Sequence, residues 1–268
     1  METQKIGKIK LTSKNWRVLL CLISVIGLEI KGIHAQTEGK NESISTPLVG
    51  VHWGGNLPGG DLLARYGFLN NLGFSAGYKL ENQWYFGADA NFIFGNQVKI
   101  TGLFDHLVDD KGNITDINGD IAKVLVYPRG FNANVSVGRL FPLSKSNANS
   151  GIMVHGGIGY LLHHMRIETN DQVVPQIELN YKRGYDRMTT GINFHQFVGY
   201  SFLNNGGPLN FYAGFYFQQG LTYNRRNLNY DQPNVPVSTA MRIDLQTGIR
   251  IGWYIPFYSK KPKEYYYN

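Results

Sequence analysis

The chain has 268 residues, with 26 lysines and arginines against 19 aspartates and glutamates, 32 glycines, 17 tyrosines, 15 phenylalanines and one cysteine. Six of the basic and two of the acidic residues fall in the first 35 positions, leaving 20 against 17 beyond them, so a nucleic-acid role argued from a high isoelectric point loses most of its ground. Cys21 lies in the apolar part of that leading segment; with the segment removed there is no thiol for a disulfide or a cysteine-held metal.

Lys5, Lys8, Lys10, Lys14 and Arg17 precede an apolar stretch from Val18 to Leu28, and Ile33, His34 and Ala35 follow before the chain turns polar. A basic start, a short apolar centre and a small residue at the exit are the pattern of a secretory signal peptide, so residues 1–35 are expected to be cleaved after Ala35. The centre is too short for a comfortable membrane helix, and Leu20 ahead of Cys21 argues against lipidation. Later apolar runs are shorter still, so any membrane crossing falls to strands. Residues 36–46, polar and with Gly39 and Asn41, read as a flexible lead-in.

From there the chain alternates apolar and polar side chains with a period of two. The first strand is expected at Leu48 to Gly54, with Val49, Val51 and Trp53 on one face. Pro58, Gly59 and Gly60 then suggest a loop holding one helical turn before Leu72. Leu72 to Leu80 and Trp84 to Phe94 alternate cleanly around Glu81, Asn82 and Gln83, which predicts a hairpin. A long insertion from Gly95 to Arg129 is rich in Asp and Gly. Phe131 to Phe141, Ile152 to Leu162, Ile192 to Phe202 and Leu209 to Phe217 supply four more strands. A polar turn at Ser144 to Ser150 separates the first two, a long segment from Arg166 to Thr189 follows, and Asn204, Asn205, Gly206, Gly207 and Pro208 mark a turn. After a loop from Tyr223 to Thr239 comes Met241 to Phe257, the most regular run of all. Met241, Ile243, Leu245, Ile249, Ile251, Trp253, Ile255 and Phe257 share one parity against Arg242, Asp244, Gln246 and Arg250.

Eight strands joined by alternately long and short connections predict an all-β, antiparallel, up-and-down barrel over residues 47–258, with a basic, tyrosine-rich periplasmic tail at 259–268. Lipid offers the backbone no partners, so such a sheet must close. At eight strands side chains just fill the interior, which disfavours a general diffusion pore. Arg250, Gly252, Ile255 and Phe257, at polar-x-Gly-x-x-apolar-x-aromatic spacing, resemble the terminal signal that outer-membrane barrels present to their insertion machinery. From Leu48 to Phe257 the chain resembles the small outer-membrane barrels of Gram-negative bacteria, such as the OmpA transmembrane domain and the OmpX and OmpW families. Its many Tyr and Asn residues and the style of its leader resemble Bacteroidota barrels. That resemblance implies the outer membrane as location, lipid and lipopolysaccharide as surroundings, no cofactor, and for some such barrels an accessory place beside a type IX secretion translocon.

Asp89, His155, His195, Arg242, Asp244 and Arg250 fall on the lumen parity, and internal packing of a polar network is the economical reading because unpaired buried charge is costly. Arg139 has the apolar parity but lies near a short turn, where it can snorkel. A lipid-modifying hydrolase would need a nucleophile and a base near the outer rim; His195 with Ser201 makes no convincing set, so no catalytic residue is assigned. His163 and His164, adjacent and therefore on opposite faces, read as rim residues rather than a metal pair. Asp116, Asn118, Gly119 and Asp120 lack the rest of a calcium loop, and Asn41, Asn113 and Asn134 match the short N-glycosylation acceptor pattern. Tyr181, Lys182, Arg183, Arg225 and Arg226 gather aromatic and cationic groups in two long loops, suited to lipopolysaccharide phosphates, glycans or another envelope protein. The function expected is therefore a non-enzymatic structural or interaction protein, its long loops or basic C-terminal tail engaging an envelope partner. A channel for small or hydrophobic solutes and a lipid-modifying enzyme are the alternatives, and a soluble calycin-like barrel is the architectural rival.

Overall fold

The computed structural model describes residues 43–144, 147–204 and 209–257; the expected leader, all but the end of the lead-in and the tail at 259–268 lie outside them. Eight strands run in chain order: β1 Thr46–Gly60, β2 Leu69–Lys79, β3 Trp84–Gly95, β4 Leu125–Ser144, β5 Asn147–Glu168, β6 Thr189–Phe202, β7 Phe211–Asn224 and β8 Arg242–Pro256. Each pairs antiparallel with its neighbours, and β1 pairs with β8 from Leu48↔Pro256 to Gly60↔Asp244, so the sheet is a closed up-and-down barrel. Closure removes the unpaired edge that any open sheet would present.

The connections after β2, β4 and β6 are short and those after β3, β5 and β7 are long, as the turn residues indicate. At the first short turn Gln83 takes a φ of 71°, its amide bonds Leu80 O at 3.0 Å, and Leu80 N bonds Trp84 O at 2.8 Å. A 3-10 turn at Asp61–Ala64 stands where one helical turn is expected.

Several strands outrun their sequence signal. β1 continues through Pro58 to Gly60; past Asn56 it pairs with β8 alone, and a one-sided edge is where proline is tolerated within a sheet. β4 and β5 are the longest strands, because Leu125↔Glu168 to Pro128↔Met165 pair beyond the points at which β3 and β6 stop. This two-stranded ribbon stands above the rim at the long-loop end. Its irregular Leu125-Val126-Tyr127-Pro128 hides the alternation.

The predicted parities hold around the ring. Val51, Phe74, Phe86, Val135, Ile158, Phe215 and Ile251 all point out and are exposed, Phe74 at 70%. The opposite parity is buried, yet it is largely polar: His52, Asn91, Asn132, His195, Gln218 and Arg250 are among the least exposed residues. Arg139 is exposed between aromatic neighbours, its guanidinium 6.0 Å from the Trp84 ring and 5.8 Å from the Phe141 ring, as snorkelling at an aromatic belt requires.

Apolar side chains close the interior at both ends. At the short-turn end Tyr85, Phe197, Tyr212 and Tyr254 cluster with Leu48, Leu140 and Met153. Their rings lie flat on glycines: a Cβ on Gly252 would sit 2.2 Å from the Tyr212 ring, and one on Gly87 would collide with Tyr85. At the long-loop end Leu62, Tyr66, Leu103, Val174, Ile177 and Tyr185, from the connections, pack onto Leu161, Met165 and Ile167 of β5. The long connections are thus folded into a cap with its own core.

Candidate functional site

The interior side chains form two polar groups rather than one network. Midway along the barrel, Asp89 of β3 faces Arg250 of β8, with Nη1 3.8 Å from Oδ1. Asp89 also accepts from Asn134 Nδ2 at 2.8 Å and from Asn91, which in turn donates to Asn132 Oδ1 at 2.6 Å and contacts His52. Asn132 and Tyr216 both donate to Gln218 Oε1 at 3.0 Å, and the Arg250 guanidinium lies 3.8 Å from the Tyr216 ring centre. Five strands are tied together through one carboxylate and one guanidinium.

The second group stands nearer the cap. Asp244 of β8 meets His163 Nε2 at 2.9 Å, accepts from Thr222 Oγ1 at 2.5 Å and has Arg242 Nη2 at 3.9 Å. The Tyr66 hydroxyl lies 3.4 Å from the other His163 ring nitrogen. His163 is therefore an interior ligand of a buried carboxylate, which corrects its reading as a rim residue. Alternation continued two residues past Leu161 would have placed it there. His164, on the other face, has Nδ1 3.2 Å from the Met165 carbonyl oxygen.

Of the six predicted lumen residues, then, Asp89 pairs with Arg250 and Arg242 with Asp244. His155 and His195 belong to an aromatic column: His155 stacks on Phe197 at 4.9 Å and meets His195 edge-on at 5.9 Å, and His195 stacks on Tyr216 at 6.0 Å. Neither His195 ring nitrogen has a protein hydrogen-bond partner, so Ser201 is not joined to it as nucleophile to base. Asn91, Asn132 and Gln218 carry much of the first group; Asn91 and Asn132 were legible only as members of the polar parity, and Gln218 lies one residue past the expected end of its strand. Asn134 is buried against Asp89, which removes it as an accessible glycosylation site.

In the cap, Tyr185 is the hub. His106 stacks on it at 5.7 Å with Nε2 2.8 Å from its hydroxyl, Phe104 packs at 5.3 Å, and Tyr230 meets it edge-on at 5.6 Å. Two ion pairs fasten the connections to one another: Arg226 grips Asp186 through Nε at 2.8 Å and Nη2 at 2.5 Å, and Arg187 Nη2 reaches Asp231 Oδ2 at 2.5 Å. The hydrogen bonds to Asp186 raise the already high pKa of Arg226. The five predicted loop residues accordingly divide. Arg226 braces the cap, Arg225 bonds Thr190, and Lys182 lies 3.4 Å from Glu178. Tyr181, at 57% exposure, and Arg183 face solvent. Asp116 spends its carboxylate on the amides of Asn118 and Asp120 at 2.8 and 2.9 Å, a turn device rather than a metal loop.

A closed ring of eight up-and-down strands, apolar outside and polar inside, is the architecture of a small outer-membrane barrel. Among solved structures the chain is similar to Ail, the attachment invasion locus protein of Yersinia pestis, with 9% identity over 81% of this chain and 99% of that one and a TM-score of 0.40. It is also similar to Neisserial surface protein A, with 13% identity over 80% and 99% and a TM-score of 0.35. The N-terminal β-barrel domain of Pseudomonas aeruginosa OprF gives 9% identity over 79% and 97% and a TM-score of 0.34. No protein-family model matches the chain, and no curated protein does.

Proposed function

We propose that the chain is an integral outer-membrane β-barrel with a non-enzymatic, structural or interaction role in the cell envelope. One observation carries this: the outward parity is apolar and exposed on every strand of a closed ring, which in water would be an apolar patch many times larger than soluble monomers carry. Lipid and lipopolysaccharide would then cover the wall. With an even number of strands, both ends of the barrel fall on the short-turn, periplasmic side, and the cap faces outward. A cleaved leader at 1–35 and a periplasmic tail at 259–268 fit this placement. Arg250, Gly252, Ile255 and Phe257 would be read by the insertion machinery before the ring closes, since Arg250 is buried inside the finished barrel.

The interaction role is assigned to the cap, where Tyr181 and Arg183 offer an aromatic and a cation to an envelope protein or glycan. The finer reading, an accessory subunit of a type IX translocon in a Bacteroidota envelope, rests on composition and leader style. A channel is the weaker reading, because aromatic packing fills one end of the lumen and the cap core the other. A lipid-modifying enzyme is weaker still, with His195 in a ring stack.

The test is fractionation of native membranes followed by purification in mild detergent. The protein is expected to resist urea and alkaline washes, to need detergent for release, and to bring a stoichiometric companion if it is a subunit. A leaderless chain that stays monodisperse in plain buffer would overturn the reading.

A further inference from the structure

At the long-loop end a cleft of about 340 Å3 lies between the start of the β1–β2 connection, the residues before β6 and the β7–β8 connection. Four arginines line it: Arg65, Arg187, Arg226 and Arg242. Three of them have carboxylates. Arg187 is paired with Asp231 and Arg226 with Asp186, while Arg242 lies 3.9 Å from Asp244, a carboxylate already engaged by His163 and Thr222. Arg65 has no carboxylate within ion-pair distance among the described residues. Its bonds go to neutral oxygens: Nη1 to Arg187 O at 3.1 Å and Thr189 Oγ1 at 2.6 Å, and Nη2 to Asn224 Oδ1 at 2.9 Å.

Arg65 is nevertheless buried. Burial lowers its pKa, the neighbouring Arg242 and Arg187 charges act in the same direction, and Tyr66 and the Asp244 carboxylate oppose them only in part. A buried cation short of counter-charge is costly, and an anion in the cleft would offset that cost. Two guanidinium nitrogens among the cleft residues have no hydrogen-bond partner, Arg187 Nη1 on a nine-tenths buried side chain and Arg242 Nε, and both are sealed from solvent. Arg187 also holds a φ of 49°, a left-handed backbone that an arginine rarely adopts, and such strain gathers at binding sites.

We propose that this cleft binds a phosphate-type oxyanion, held by the guanidinium groups of Arg65, Arg187 and Arg242, with Arg65 the one that has no carboxylate within ion-pair distance. Guanidinium groups reaching one cleft from three separate segments suit a tetrahedral anion with oxygens on several sides better than a planar carboxylate. The inference does not depend on the membrane placement.

The experiment is equilibrium dialysis of the folded full chain in a neutral detergent against inorganic phosphate, with chloride holding ionic strength constant. One saturable site per chain is expected, weakened at least tenfold by Arg65→Met and by Arg187→Met and unchanged by Arg166→Met, an exposed arginine elsewhere on the ribbon. If Arg65→Met does not fold, Arg187→Met and Arg242→Gln carry the test, because they sit on other segments. A parallel measurement uses micelles doped with phosphatidic acid. Binding of free phosphate assigns a soluble anion, binding of doped micelles alone assigns a headgroup, and both depend on the same arginines. Binding of neither, or binding that survives all three substitutions, overturns the proposal.

Discussion

Replacing Phe74 with arginine separates a wall wet by hydrocarbon from one wet by water. Phe74 stands mid-strand in β2, paired with Val51 and Ala90, points outward and is 70% exposed. It makes little contact that the substitution would disturb, so the environment outside the barrel decides the outcome. In hydrocarbon an arginine near the midplane of a barrel wall costs about 2–4 kcal/mol, a factor of roughly thirty to several hundred in the folding equilibrium at 1.4 kcal/mol per decade. In water an exposed substitution of this kind stays within about 0.5 kcal/mol. The assay is urea-driven unfolding from lipid vesicles, with the midpoint shift read at constant slope. Arg139→Leu, close to the aromatic belt, serves as the positional control and is expected to shift the midpoint little. A Phe74→Arg penalty below about 0.5 kcal/mol in vesicles would refute the assignment of the outer face to lipid.

In the lumen, Arg250→Met strands the Asp89 carboxylate and should destabilise the barrel by about 3–5 kcal/mol, whereas adding Asp89→Asn should recover part of the loss; a double penalty equal to the sum of the two single penalties in the urea assay would mean the two do not interact. Gly252→Val drives a side chain into the Tyr212 ring and should cost about 1–3 kcal/mol of stability. Phe257→Ala, at an exposed position, should leave the stability of the purified barrel intact yet lower the fraction inserted in cells, and normal insertion would remove the terminal-signal reading. Wild-type protein in planar bilayers should show no stable open state, while combined Phe197→Ala and Tyr212→Ala, which thin the aromatic plug, should admit intermittent conductance; steady wild-type current would restore the channel.

The barrel was legible because hydrocarbon outside and polar packing inside impose a two-residue period on the same stretches, and β8 shows it from Ile243 to Ile255 almost without interruption. Where one of those constraints lapses the signal lapses too. Beyond Asn56 and beyond His163 the strands rise past their neighbours, the outer face is no longer uniformly apolar, and the alternation fades although the backbone pairing continues. The cap was not legible at all. Leu103, Val174, Ile177 and Tyr185 come from connections far apart in the chain and share no period, so only their packing onto the β5 ribbon identifies them as a core. The candidate sites divide along the same line. Asp89, Arg250, Arg242 and Asp244 follow from parity, while Arg65 and Arg187 occupy irregular backbone and acquire meaning only when three connections converge.

The polar lumen also explains how so regular a sheet avoids slipping. A one-residue shift in the pairing of a strand exchanges its two faces, and in a barrel with apolar residues on both sides that exchange would cost little. Here it would turn Asp89 or Arg250 toward hydrocarbon while leaving its partner unpaired inside. The exposed charge alone would then cost as much as the Phe74→Arg substitution, and the abandoned partner would add the penalty of a broken buried pair. With the Asp244 group repeating the constraint six residues earlier in β8, the buried charges act as register marks at two heights of the ring. That gives the interior a structural purpose, holding the register of the ring, whatever else the lumen does.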